Sequence, residues 1–194
     1  MCTEARFNFQ RGVSLIELVI FIAIVGVAVA GVLSVLTQTT RSSADPMIAK
    51  QALSIAEALL EEVRLQPFTY CDPDDATAST ATSASVGVGA CTSTVEAIGP
   101  EAGETRSGSG GAQFDNVNDY HGYSSAADGG IKDIGGTVIA TLSNYAATVS
   151  VAATALGSVA ATDALLITVT VTGPANTTVT LQGYRTRYAP NALP

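Results

Sequence analysis

The sequence predicts an α+β chain with a long N-terminal helix, a loop-rich middle and a C-terminal antiparallel β-sheet. Three observations carry that expectation. A charge-free apolar run lies near the N-terminus, a stripe of apolar residues at helical spacing follows it, and the last third alternates with period two. A length of 194 residues suits one globular domain plus an appendage. The formal net charge is −8, and no Lys/Arg stripe is present, so no nucleic-acid partner is expected.

Residues 1–12 form a short polar leader containing Arg6 and Arg11. From Val13 the chain is almost wholly apolar to Leu36, interrupted by Ser14, Glu17, Ser34 and the glycines Gly26 and Gly31. No charged residue occurs between Glu17 and Arg41, and the stretch matches the ~20 residues a helix needs to cross a bilayer. Residues 13–44 are therefore assigned to a hydrophobic transmembrane helix. Asp45 and Pro46 are a suitable N-cap and first helical residue, which predicts a local break there. Beyond it, Ile48, Ala52, Ile55, Leu59 and Val63 share one face, while Lys50, Glu57, Glu61 and Glu62 fall largely off it. Residues 45–66 read as an amphipathic helix that Pro67 ends, so 13–66 is one long, kinked helix.

Residues 67–136 read as loop, with runs such as Thr77-Ala78-Ser79-Thr80 and Ser107-Gly108-Ser109-Gly110-Gly111. The glycine run is no phosphate cradle, because no GK[ST] follows it and no apolar strand precedes it. Residues 137–194 hold the sheet. Tyr145, Ala147, Val149 and Val151 share one face, and Leu165, Ile167, Val169 and Val171 share the face of the next strand. Gly173-Pro174-Ala175-Asn176 is a turn signal before the strand that begins at Val179 and Leu181. The amphipathic half of the helix is the one obvious cover for the apolar face of this meander.

The cysteines are Cys2, Cys71 and Cys91, at spacings unlike a zinc knuckle or redox pair. Loss of the first residues leaves an even pair, as suits an oxidising compartment. A Cys71–Cys91 disulfide would close a loop of roughly 20 residues, worth about 3 kcal/mol on the chain-entropy view; two free buried thiols are the alternative. His121, the one histidine, sits in a polar loop, and no Ser/His/Asp set can be defended. No catalytic residue is assigned, and the chain is not expected to be an enzyme. Asp115, Asn116, Asn118 and Asp119, with Asp72, Asp74 and Asp75, are candidate oxygen ligands for calcium. Their spacing fails the EF-hand pattern at Val117, so solvated, turn-forming acids and no cofactor are the expectation.

The segment that carries function is Arg11-Gly12-Val13-Ser14-Leu15-Ile16-Glu17-Leu18. A carboxylate inside a membrane helix costs about 2.5–3.5 kcal/mol on insertion scales and is seldom kept without a partner. Cleavage after Gly12 would create an amine at Val13, and an α-amino group has a pKa of about 8. Glu17 of one subunit and the amine of its neighbour would then be the opposite charges in an apolar packing of parallel helices. Their pairing would set axial register, since another stagger leaves both unpaired.

This segment resembles the class III prepilin signal of type IV pilins and type II secretion pseudopilins. The resemblance implies a pilin-like fold and cleavage between Gly12 and Val13 by a prepilin peptidase. It also implies N-methylation of Val13, storage in the bacterial inner membrane as a single-pass protein, and assembly through Glu17 with other pilin subunits by the inner-membrane pilus machinery. The final location would be the periplasm or a cell-surface pilus. Val13 stands where the family usually has Phe, and the membrane half lacks the proline of many major pilins. Further stretches resemble minor pilins of the mannose-sensitive haemagglutinin (MSHA) type and related PilV-like proteins. They are Arg41-Ser42-Ser43-Ala44-Asp45-Pro46-Met47, Ala56-Glu57-Ala58-Leu59-Leu60-Glu61-Glu62, Phe114-Asp115-Asn116-Val117-Asn118-Asp119-Tyr120 and Tyr184-Arg185-Thr186-Arg187-Tyr188-Ala189-Pro190. The expected role is a structural minor pilin. A type II secretion pseudopilin and a membrane-tethered binding module that never polymerises are the alternatives.

Two other readings of the N-terminus compete. Ala28-Val29-Ala30 is an A-x-A sequence of the kind secretory signals end on, but the apolar run continues through Val32, Leu33, Val35 and Leu36. An uncleaved single-pass anchor is the other, and Arg6 and Arg11 against Arg41 and Lys50 give no clear orientation.

Overall fold

The computed structural model describes residues 14–193, and the side chains of all of these except 38–45. The chain is α+β: helix α1 (Leu15–Leu65) and a three-stranded antiparallel sheet in the order β1 (Ala146–Ala153), β2 (Ala164–Thr172) and β3 (Thr178–Thr186). It divides into two compact units, one up to Asp45 and one from Pro46 onward.

The expected break at Asp45-Pro46 is not present. Helical backbone continues through Pro46, which lies inside α1, so Asp45 is not an N-cap. An interior proline removes one hydrogen bond and costs about 3 kcal/mol. Good helix formers on both sides, Ala44 before it and Met47, Ala49, Lys50, Gln51 and Ala52 after it, propagate the helix across that deficit. Pro67 ends the helix as its missing N–H requires, and Arg185 Nε donates to the Gln66 carbonyl at 3.1 Å, satisfying a C-terminal orphan.

In the second unit, Ala52, Ala56, Leu59 and Val63 of α1 are buried, with Ile48, Ile55 and Leu60 packed at the margins. Ala56 thus takes a place in the stripe that sequence spacing gave to Ile55. Across from them lie Tyr145, Ala147, Val149 and Val151 and the β2 residues Leu165, Ile167, Val169 and Val171. The register pairs Val149 with Val169 and Val151 with Ile167, so both apolar rows point to one face. Each such side chain contributes on the order of 1.5–3 kcal/mol by leaving water. α1 approaches β3 closely at Gly183, where a Cβ would meet Leu60 Cδ1 at 3.3 Å and Arg64 Cδ at 3.2 Å. Ala175 and Asn176 turn the chain from β2 to β3 with φ of 54° and 59°.

The helix is not the sole cover of the sheet. Phe114, Val117, Tyr120, Tyr123 and Ile131, all from the loop-rich middle, belong to the same core. Phe114 stacks edge-on against Tyr120 and Tyr123, with centroids 5.1 and 6.4 Å apart. The middle segment also closes the outer edge of β1. Val149 N–H donates to the Tyr123 carbonyl at 3.0 Å, Gly122 N–H to the Val149 carbonyl at 3.1 Å, and Ser125 N–H to the Ala147 carbonyl at 2.9 Å. Ser125 Oγ and His121 Nδ1 accept the N–H groups of Ala147 and Val151. An edge strand so paired offers no template for another chain.

Candidate functional site

The first candidate is the start of α1. Leu15–Thr37 has a mean hydropathy of 2.9 and is long and apolar enough to cross a membrane. Its large side chains are all exposed, from Val25 at 41% to Leu15 at 80%. That much contiguous apolar surface marks a membrane or protein contact. Glu17 is exposed and stands in the first turn of the helix. Leu18 N–H donates to the Ser14 carbonyl at 3.1 Å, so Glu17 lies within the turn where free N–H groups favour negative charge. Gly12 and Val13, the expected cleavage and methylation positions, lie outside the described residues, as does Cys2.

The second candidate is the segment that follows α1. Cys71 and Cys91 are joined in a disulfide, with Cα atoms 5.5 Å apart, and pack with Ala78 and Ala81 into a small second core. Asp75 fastens the same loop. Its carboxylate accepts the N–H groups of Thr77, Thr92, Ser93 and Thr94 at 2.7–3.0 Å and the hydroxyls of Thr77 and Ser93. Those hydrogen bonds, that of Thr94 first, hold the carboxyl well below the usual carboxylate range. Asp75 is thus a structural acid, with its oxygens committed to the loop.

Beside this loop the chain concentrates negative charge. Carboxylate oxygens of Asp72, Asp74 and Asp115 lie within 4.8 Å of one another, and so do those of Glu96, Glu101 and Asp119. Burial, followed by the charge of Asp119, pushes the Glu96 carboxyl up to about 10. Burial, again the larger cause, raises Asp115 to about 7 and Asp119 to about 6. Asp119 Oδ2 accepts the N–H groups of Asp115 and Asn116 at 2.9 and 2.7 Å. Asn116 Nδ2 donates to Thr69 Oγ1 at 2.7 Å. The acids singled out from sequence are therefore divided: Asp75 and one oxygen of Asp119 hold backbone, and Asp72, Asp74 and Asp115 gather. Glu96 and Glu101 were missed. They stand in an irregular stretch without a ligand-like spacing, and only the fold brings them to Asp119.

A groove of about 850 Å3 runs along α1 and is lined by Ile55, Leu59, Tyr123, Ile131, Ile139 and Leu142 among others. Glu62 and Arg106 stand at it as a bidentate pair, both contacts at 2.6 Å, and Tyr120 donates to the same carboxylate at 2.8 Å. His121 is not among the groove's lining residues.

Residues 7–33 match the family model of the prokaryotic N-terminal methylation motif, a span that includes Gly12, Val13 and Glu17. That motif supports an N-terminal segment of the kind found in type IV pilin-like and pseudopilin precursors, which are structural subunits. The match reaches neither the second unit nor the segments that resemble haemagglutinin-type minor pilins. No curated protein and no solved structure matches the chain.

Proposed function

We propose that this chain is a structural minor subunit of a type IV pilus of the MSHA-like kind, stored in the inner membrane and assembled through the first half of α1. The observation that carries the reading is Glu17, a single acid at the start of the otherwise apolar stretch Leu15–Thr37, inside the matched methylation motif. Peptide-bond cleavage between Gly12 and Val13 leaves a new amine, methylated in the mature chain, one turn before that acid. In a bundle of parallel helices each Glu17 receives its counter-charge from the neighbour's amine, and that pairing fixes the stagger between subunits.

Mass spectrometry of the N-terminal peptide tests the processing step. A chain starting at methylated Val13 is the expected result, and an intact Met1 would indicate a tethered module instead. Glu17→Ala should insert in the membrane at the wild-type level yet enter fibres poorly, read by comparing membrane and sheared-fibre fractions. Undiminished incorporation would remove the register argument. Whether the fibre is a pilus or a secretion pseudopilus is decided by the neighbouring genes, which encode the one assembly machine or the other.

A further inference from the structure

We infer that Glu96, Glu101 and Asp119 form a calcium site that locks the segment 96–119 to the rest of the second unit. The three carboxylates come from two stretches of the chain, 96–101 and the turn that holds Asp119, and their oxygens lie within 4.8 Å of one another. Calcium–oxygen distances of about 2.3–2.6 Å place ligands on opposite sides of one ion about 4.6–5.2 Å apart, so this spread fits a single coordination sphere. The decisive feature is the absence of hydrogen-bond donors to these oxygens among the described residues. Glu96 is 8% exposed, and neither of its carboxylate oxygens has a hydrogen bond among the described residues. Asp119 is fully buried, and its Oδ1 is equally without a donor, whereas its Oδ2 is held by backbone. Asn118, from the same 3₁₀ turn (Val117–Tyr120), also buries an Oδ1 with no donor.

Buried polar atoms are almost always paired, and a buried carboxylate left alone costs far more than a neutral group. Here two such acids stand with Glu101 beside them, and none of the three makes an ion pair among the described residues; Arg187 feels the charge of Glu96, but its own ion pair, at 3.7 Å, is with Asp163. A cation removes both defects at once by supplying the missing partner and cancelling the repulsion. The donor atoms name the class of ion. All are oxygens, with neither imidazole nor thiolate, which selects a hard cation over zinc or copper. The segment itself favours this arrangement, since Gly99 N–H donates to the Asn118 carbonyl at 3.1 Å and ties the Glu96–Glu101 turn to the Asp119 turn. The site is independent of the polymerisation reading, because every residue belongs to the second unit.

The test uses the full chain in detergent, stripped with a chelator and titrated calorimetrically with calcium chloride, with magnesium chloride as comparator. One calcium per chain is expected, with a dissociation constant of about 10⁻⁴–10⁻³ M, the range of extracellular calcium modules. Bound calcium should also slow amide exchange over residues 96–119. Glu96→Gln should weaken binding at least tenfold while leaving the calcium-free thermal midpoint unchanged or higher, because it keeps the side chain's shape and cannot ionise. Should that variant not fold, the more exposed Glu101→Gln serves in its place. Absence of saturable heat at millimolar calcium, unaltered affinity in the variant, or magnesium binding as tightly as calcium would each overturn the assignment.

Discussion

The sheet and the segment between α1 and the sheet are held by different physics. Over Ala147–Val151 of β1 and Leu165–Val171 of β2 every second residue is apolar and buried, and the loss of any one leaves many neighbours in place. The middle segment has no regular ladder beyond isolated bridges and two short 3₁₀ turns, Val117–Tyr120 and Ala140–Leu142. Apart from the residues it lends to the main core, its shape depends on single groups: the disulfide of Cys71 and Cys91, the carboxylate of Asp75, and the ion pair of Arg106 with Glu62. Diffuse apolar burial makes a region cooperative, whereas a few polar fasteners make a region that opens piecemeal. Each experiment below breaks one kind of fastening and asks how far the damage spreads.

The largest effect should come from the sheet. Ile167 is completely buried and sits between Val151 of β1 and Gly183 of β3 in the register. Ile167→Ala should destabilise the second unit by about 2–5 kcal/mol. Chemical denaturation of the full chain in detergent, followed by near-UV tyrosine dichroism, would register one cooperative shift that includes the middle segment. Arg106→Met is the corresponding break in a polar fastening. It strands the Glu62 carboxylate, whose remaining partner is the Tyr120 hydroxyl, and should cost about 3 kcal/mol. The double variant Glu62→Gln/Arg106→Met should cost less than the sum of the singles, because the stranded charge is gone. Strict additivity would mean that the pair contributes nothing as a pair.

The contrast also explains what the sequence discloses. Period-two alternation in Tyr145–Val151 and Leu165–Val171 is a repeated signal, and the structure places every one of those residues inward. The apolar run of α1 is equally plain. Pro46 misleads because a local helix-stop signal competes with helix formers on both flanks, and propagation wins. Glu62 misleads for a different reason. It lies off the apolar stripe and reads as a solvated acid, yet Arg106, 44 residues away, covers it. Glu96, Glu101 and Asp119 have no common spacing at all. Long-range polar pairings leave no periodicity, so they become visible only when the chain is folded.

Reduction of the disulfide should have a narrower effect. It restores the freedom of a loop whose ends are 20 residues apart, worth about 3 kcal/mol at most on the chain-entropy view. Limited proteolysis under reducing conditions should cut within residues 71–95 while the strands stay protected. Equal protection of both regions would show that the small core of Ala78 and Ala81 suffices without the bridge.

The smallest change is at Asp75, and pH isolates it. Backbone donors hold its folded-state pKa below the unfolded value of about 4, so its contribution is whole at neutral pH. Acidification removes that contribution only below about pH 4, as protons begin to compete with the four N–H groups for the carboxylate. Other carboxylates titrate in the same range, so the informative quantity is the difference between wild type and Asp75→Asn. At pH 7 the variant should exchange the amides of Thr92, Ser93 and Thr94 at least about tenfold faster, a few lost hydrogen bonds' worth, with the sheet unchanged. Toward pH 2 the wild type should move toward the variant, and the gap between them should narrow. A gap that does not narrow at all on acidification would mean that the side chain fills space there, and that charge has no part in fastening the loop.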